Sequence, residues 1–156
     1  MWTLVSVMLI ASQTVALDGP RLREKSGPVL VEIGGWQVFA SEVSGHGTHL
    51  RFEGVEASRG PGGPWTLVAD SLIVGLKAPD LAEADWMLAS GRVRVSGPDD
   101  LYVMARQMTT FEPARGLVFT GGDEPARFFG ADWQLTAARI DVDLSSARVQ
   151  LDALAQ

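Results

Sequence analysis

This sequence predicts an all-β domain of long strands bent between two facing antiparallel sheets, and three observations support that reading. A four-fold repeat opens at Trp36, Trp65, Leu101 and Trp133. Stretches such as Arg92-Val-Arg-Val95 and Arg139-Ile-Asp-Val-Asp-Leu144 alternate polar and apolar with period two, as half-buried strands do. Turn compositions lie between the stretches: Gly45-His-Gly47, Arg59-Gly-Pro-Gly-Gly-Pro64, Ser96-Gly-Pro-Asp-Asp100 and Thr120-Gly-Gly-Asp123.

The elements follow in chain order. Trp2 to Leu17 carry no charge, and Thr14-Val15-Ala16 is a small-x-small pattern suited to cleavage after Ala16. Residues 1–17 therefore read as an export signal. The rival is an N-terminal anchor, although Ser6, Ser12, Gln13 and Thr14 interrupt the run and a membrane span needs ~20 apolar residues. Residues 18–32, with Pro20, Pro28 and mixed charges, read as a solvated lead-in to a domain over 33–156. Pro79 to Trp86 fills the longest repeat and reads as an extended turn or one short helix.

Each repeat obeys one rule: large apolar, any, Val or Leu, any, Ala, any, any, aliphatic. Trp36-Gln-Val-Phe-Ala40-Ser-Glu-Val43 recurs as Trp65-Thr-Leu-Val-Ala69-Asp-Ser-Leu72. It returns as Leu101-Tyr-Val-Met-Ala105-Arg-Gln-Met108 and Trp133-Gln-Leu-Thr-Ala137-Ala-Arg-Ile140. The first three marked positions are two apart and share a strand face; the last is three further on, which flips the face. A bulge, or a bend from one sheet into the other, returns the apolar side to the core.

The residues Leu88-Ala-Ser-Gly-Arg-Val-Arg-Val95, Ala105-Arg-Gln-Met-Thr-Thr-Phe111, Gly116-Leu-Val-Phe-Thr-Gly-Gly122 and the closing stretch Ala137 to Leu151 resemble the OstA-like domain. This is the periplasmic lipopolysaccharide-transport family that includes LptA and LptC. The resemblance implies an open β-jellyroll of two antiparallel sheets, with an apolar interior that shields acyl chains and edges that stack on related β-jellyroll domains. It implies a periplasmic location, at the inner or outer membrane or free of both. On that reading Val38, Val43, Leu67, Leu72, Val93, Val103, Met108, Phe119, Leu135 and Ile140 line a lipid groove. Trp36, Trp65 and Trp133 fill core or stand at the groove mouth.

Composition narrows the alternatives. The chain has 13 basic and 19 acidic residues, a net charge of −6, which argues against nucleic acid as a partner. It contains no Cys and only two His, so thiolate chemistry and most His catalysis are unavailable. His46 and His49 sit in a turn with no third ligand suitably spaced for a metal. Asp99-Asp100 and the Asp80, Glu83, Asp85 group read as solvated loops, since nothing sets them across a common cleft for glycoside cleavage. Asp141 and Asp143 read as the outer face of an alternating strand, and Asp123 to Arg127 as a surface turn. No catalytic residues and no cofactor are expected. Two functions remain: a carrier of lipopolysaccharide or another acylated lipid, and a closed-core interaction module assembling through edge strands. For the first, Arg92, Arg94, Arg127 or Arg139 would have to offset the negative charge beside an anionic headgroup.

Overall fold

The computed structural model describes residues 28–60, 64–78, 83–110 and 115–152. Within them lie β1 (Val29–Ile33), β2 (Trp36–Ala40), β3 (Glu42–His46), β4 (His49–Arg59), β5 (Trp65–Leu76) and β6 (Ala84–Ser96). A 3₁₀ turn (Pro98–Asp100) leads to β7 (Tyr102–Thr110), β8 (Gly116–Thr120), β9 (Ala126–Phe129), β10 (Gln134–Ala137), β11 (Arg139–Asp143) and β12 (Val149–Asp152). All twelve strands join one antiparallel sheet. The all-β expectation holds.

The sheet folds along a crease that crosses every repeat. Strands β4 to β7 run through it, whereas β2 gives way to β3 at Ser41, and β10 to β11 at Ala138. On one side lies a first arm: β1, β2, the later part of β4 and β6, the earlier part of β5 and β7, then β9 and β10. The second arm holds β3, the remaining halves of the through-running strands, β8, β11 and β12.

The repeat's phase break is the sequence cause of this crease. Ala40 and Val43, Ala69 and Leu72, and Ala137 and Ile140 are all buried although three residues apart. Ala105 is half-buried and Met108 fully so. On a flat strand each pair would straddle the sheet. In β6 the extra residue is visible, because two residues between Ser90 and Val93 oppose one in β7. Gly91 and Arg92 both have positive φ, 79° and 47°, the geometry of a bulge that re-aims a strand. At the broken strand, the Ser41 amide and hydroxyl both donate to the Glu53 carbonyl, at 2.9 and 2.8 Å.

The two arms share one continuous apolar core. Ser71 is buried on β5, and its hydroxyl lies 2.8 Å from that of Ser90 on β6. Among the described residues no buried side-chain nitrogen or oxygen is left without a partner, so dehydrating this interior strands no polar side chain.

Two expectations need correction. Residues 29–32 are not a solvated lead-in: Val29, Leu30, Val31 and Ile33 are buried and β1 pairs with β2 throughout. The sheet thus begins ahead of residue 33, and Pro28 stands just outside the strand, where its missing amide costs no ladder bond. Residues 83–86 are not helical either, since β6 starts at Ala84 and carries Trp86. The export-signal residues and residues 79–82 lie outside the described segments.

Candidate functional site

Register defines which side chains face the interior. Across the first arm Val31, Val38, Ala57, Leu67, Val95, Val103, Phe128 and Leu135 are successive cross-strand partners. Across the second arm the row is Val43, Phe52, Leu72, Ala89, Met108, Phe119, Ile140 and Leu151. Both rows are buried for most of their length and emerge at the same end. Leu135 is 47% exposed and Leu151 36% exposed. The cause is topological: among the described residues β10 pairs only with β9 and β12 only with β11, so neither leucine has a further described strand beside it.

A cavity of about 310 Å³ opens there between the arms. Leu101, Phe128 and Trp133 line it from the first arm, Ala147 and Val149 from the second, with Asp99 and Asp100 on its rim. Trp133 is 46% exposed, and its ring meets Phe128 edge-on at 5.1 Å. The indole passes over Gly130, just beyond β9, and a Cβ there would run into it. Trp65 covers Gly97 and Trp86 covers Gly75 in the same way.

The turn before β12 holds Val149 and Leu151 in place. One Asp143 carboxylate oxygen accepts from the Ser145 hydroxyl at 2.6 Å and from the Ser145 and Ser146 amides at 2.9 and 3.0 Å. These donors favour the charged form and hold its pKa down at about 2. The Asp143 amide in turn donates to the Arg148 carbonyl at 2.8 Å, closing the turn.

The expected groove residues separate into two groups. Val38, Val43, Leu67, Leu72, Val93, Val103, Met108, Phe119 and Ile140 are packed into the shared core, each at most 4% exposed, and fill the interior between the arms. Leu135 points inward by register but stands in solvent at the edge. Of the three repeat-opening tryptophans, Trp36 and Trp65 are buried, and the Arg59 guanidinium lies 5.9 Å from the Trp36 ring. These two are core, not mouth, because each is flanked by paired strands on both sides. Trp133 alone of the three stands at an opening. Sequence reasoning passed over Phe128, Val149 and Leu151; the Phe128-Phe129 pair ahead of Gly130 was the available signal for the first.

Three further candidates are placed by local structure. His46 and His49 are cross-strand partners at the β3–β4 hairpin, and the His49 ring packs 5.4 Å from Trp86. Asp141 is held by Arg139, whose Nε donates to it at 2.8 Å.

No protein family and no curated protein matches this chain by sequence. Among solved structures, it superposes on LptH from Pseudomonas aeruginosa, described as the LptA-homologous periplasmic component of the conserved lipopolysaccharide transport device. The TM-score is 0.59 at 11% identity, over 76% of this chain and 82% of LptH. The fold is an LptA-like β-jellyroll. In this jellyroll Trp133, Leu135 and Leu151 are exposed at the edge formed by β10 and β12, and Trp133 and Val149 line the cavity there.

Proposed function

We propose that this jellyroll handles acylated lipid in the periplasm, taking acyl chains of lipopolysaccharide or a similar lipid at the mouth between its arms. The observation that carries the reading is the pair of inward apolar rows ending in exposed Leu135 and Leu151, at the end of the sheet where Trp133 lines a cavity. Likeness in fold to a periplasmic component of a lipopolysaccharide transport device supports it. The driving force is burial of methylenes, ~0.8 kcal/mol each. The cavity of about 310 Å³ sits at the small end of ligand pockets. Deeper entry therefore requires the arms to part, with acyl carbon replacing the contacts that Val103, Met108 and Phe119 now make with their neighbours.

The test uses displacement of a fluorescent fatty-acyl probe. Leu135→Asp and Leu151→Asp place charges at already solvated positions, so both variants should fold with the parent's melting temperature and lose probe capture. A parent that captures no probe, or variants that capture it as well as the parent, would defeat the carrier reading.

The complete burial of the interior favours a second reading, an interaction module with a self-filled core. It would add strands at β1 and β3 on one end and at β10 and β12 on the other, where pairing partners are missing on one side among the described residues. Sedimentation that depends on concentration, together with no probe capture, is its signature.

A further inference from the structure

The outer face of the crease carries a second cavity, of about 570 Å³, on the side of the sheet away from the apolar interior. Four arginines line it: Arg92, Arg94, Arg106 and Arg127. Two carboxylates accompany them, Asp70 and Glu124, leaving a local excess of two positive charges in a chain whose net charge is −6. The carboxylates are already engaged. Asp70 accepts from both Nε and Nη2 of Arg92, the latter at 2.8 Å, and Glu124 pairs with Arg106 at 3.5 Å. Arg94 and Arg127 have no ion-pair partner among the described residues.

Register brings these two together. Arg94 on β6 faces Met104 on β7, and Met104 faces Arg127 on β9. Their backbones are thus two strand spacings apart, about 9–10 Å, and flexible side chains on one face can converge over the intervening methionine. Alternation keeps them outward, since Val93, Val95, Val103 and Ala126 beside them are buried. The bulge at Gly91 and Arg92 supports the floor: the Asp70 side chain lies where a Cβ of Gly91 would be, and from there it holds the Arg92 guanidinium. A planar guanidinium presents two parallel N–H donors to an oxyanion, and Arg is the side chain best matched to bidentate phosphate recognition.

We propose that this outer pocket binds a phosphomonoester, with Arg94 and Arg127 as the two ligand-binding residues and Arg92 and Arg106 as neighbouring charges held by Asp70 and Glu124. Such a group belongs either to a lipid headgroup or to a free phosphorylated sugar. The site lies on the opposite face of the sheet from the acyl mouth, so it stands or falls apart from lipid capture.

Calorimetric titration of the full chain distinguishes the sources. One arm uses glucose 1-phosphate in solution; the other uses phosphatidylcholine bicelles with and without phosphatidic acid. The expected result is saturable binding in at least one arm, weakened at least ten-fold in Arg94→Gln/Arg127→Gln and by less than two-fold in Arg139→Gln, which lies outside the pocket. Binding of glucose 1-phosphate identifies a soluble ligand; binding confined to phosphatidic acid bicelles identifies a headgroup. Should the double glutamine variant fail to fold, Arg94→Lys/Arg127→Lys keeps the charge but removes the fork, and a loss of at least three-fold is expected. Absence of saturable binding in both arms, or an equal loss in Arg139→Gln, would overturn the proposal.

Discussion

Small residues at the crease have unequal roles. Ala40, Ala69 and Ala137 are buried where the strand turns inward, whereas Ala105 is half-buried and borders the outer arginine pocket. Three added carbons at Ala69 have nowhere to go, so Ala69→Leu should destabilise by ~1–3 kcal/mol in denaturant unfolding. Ala105→Leu can extend toward the pocket and should cost less than about 1 kcal/mol. Asp143 gives a prediction in pH. Its carboxyl is held at about 2, below the ordinary 3.8, by hydrogen bonds from Ser145 and Ser146. A depressed folded-state pKa adds stability that is fully present above about pH 4 and is lost as pH falls towards 2. The Asp143 carboxyl carbon should titrate in NMR with a midpoint near 2, and Asp143→Asn should flatten the stability profile across that window. A midpoint near 4 would mean that the turn is not closed in solution.

At the level of elements, the 3₁₀ turn between β6 and β7 sets the electrostatics of the mouth. Asp99 and Asp100 hold positive φ, 58° and 60°, and both border the cavity beside Trp133. Asn tolerates this backbone as readily as Asp, so Asp99→Asn/Asp100→Asn should preserve the turn while removing two negative charges. Capture of an anionic acyl probe should rise roughly two- to five-fold at low salt, with an uncharged acyl probe unaffected; equal responses would place the charge outside the acyl path. The strands themselves were legible in the sequence because their burial follows period two, and the crease was legible because the three-residue step recurs in all four repeats. The mouth was less so. Leu135 obeys the same rule as Leu67 and Val103, and only the pairing order, which puts β10 at an edge, exposes it. Trp36, Trp65 and Trp133 are equivalent by spacing but not by neighbours. The arginine pocket was partly visible: Arg92, Arg94 and Arg127 stood out as cations, but a sequence pattern does not show that Arg106 joins them while Arg139 is occupied by Asp141.

For the whole molecule, the decisive property is that the arms share a filled core. Val103 and Phe119 are fully buried, one in each arm. A carboxylate at either position is buried without a partner, which costs several kcal/mol or forces a raised pKa. Val103→Asp and Phe119→Asp should therefore unfold or lose cooperative melting, in contrast to Leu135→Asp at the mouth. If either core variant melts like the parent, the interior admits water and the arms stand apart in solution.

The crease also sets the mechanics. Where β4 to β7 cross it, the backbone is continuous, and separating the arms means bending four strands against their own hydrogen-bonded neighbours. At the C-terminal end the crossing is interrupted, by residues 121–125 between β8 and β9 and by Ala138 between β10 and β11. The crossing is also interrupted at the other end, between β2 and β3 at Ser41, so the spine is expected to be stiffest where β4 to β7 cross it and more compliant where the crossing is broken. Backbone amides of β9 to β12 should then exchange with deuterium through local opening, well before those of β4 to β7, which await global unfolding. If acyl chains enter as proposed, an occupant pushed inward would meet resistance that rises with depth, and recoil of the central strands would favour its return through the end by which it entered.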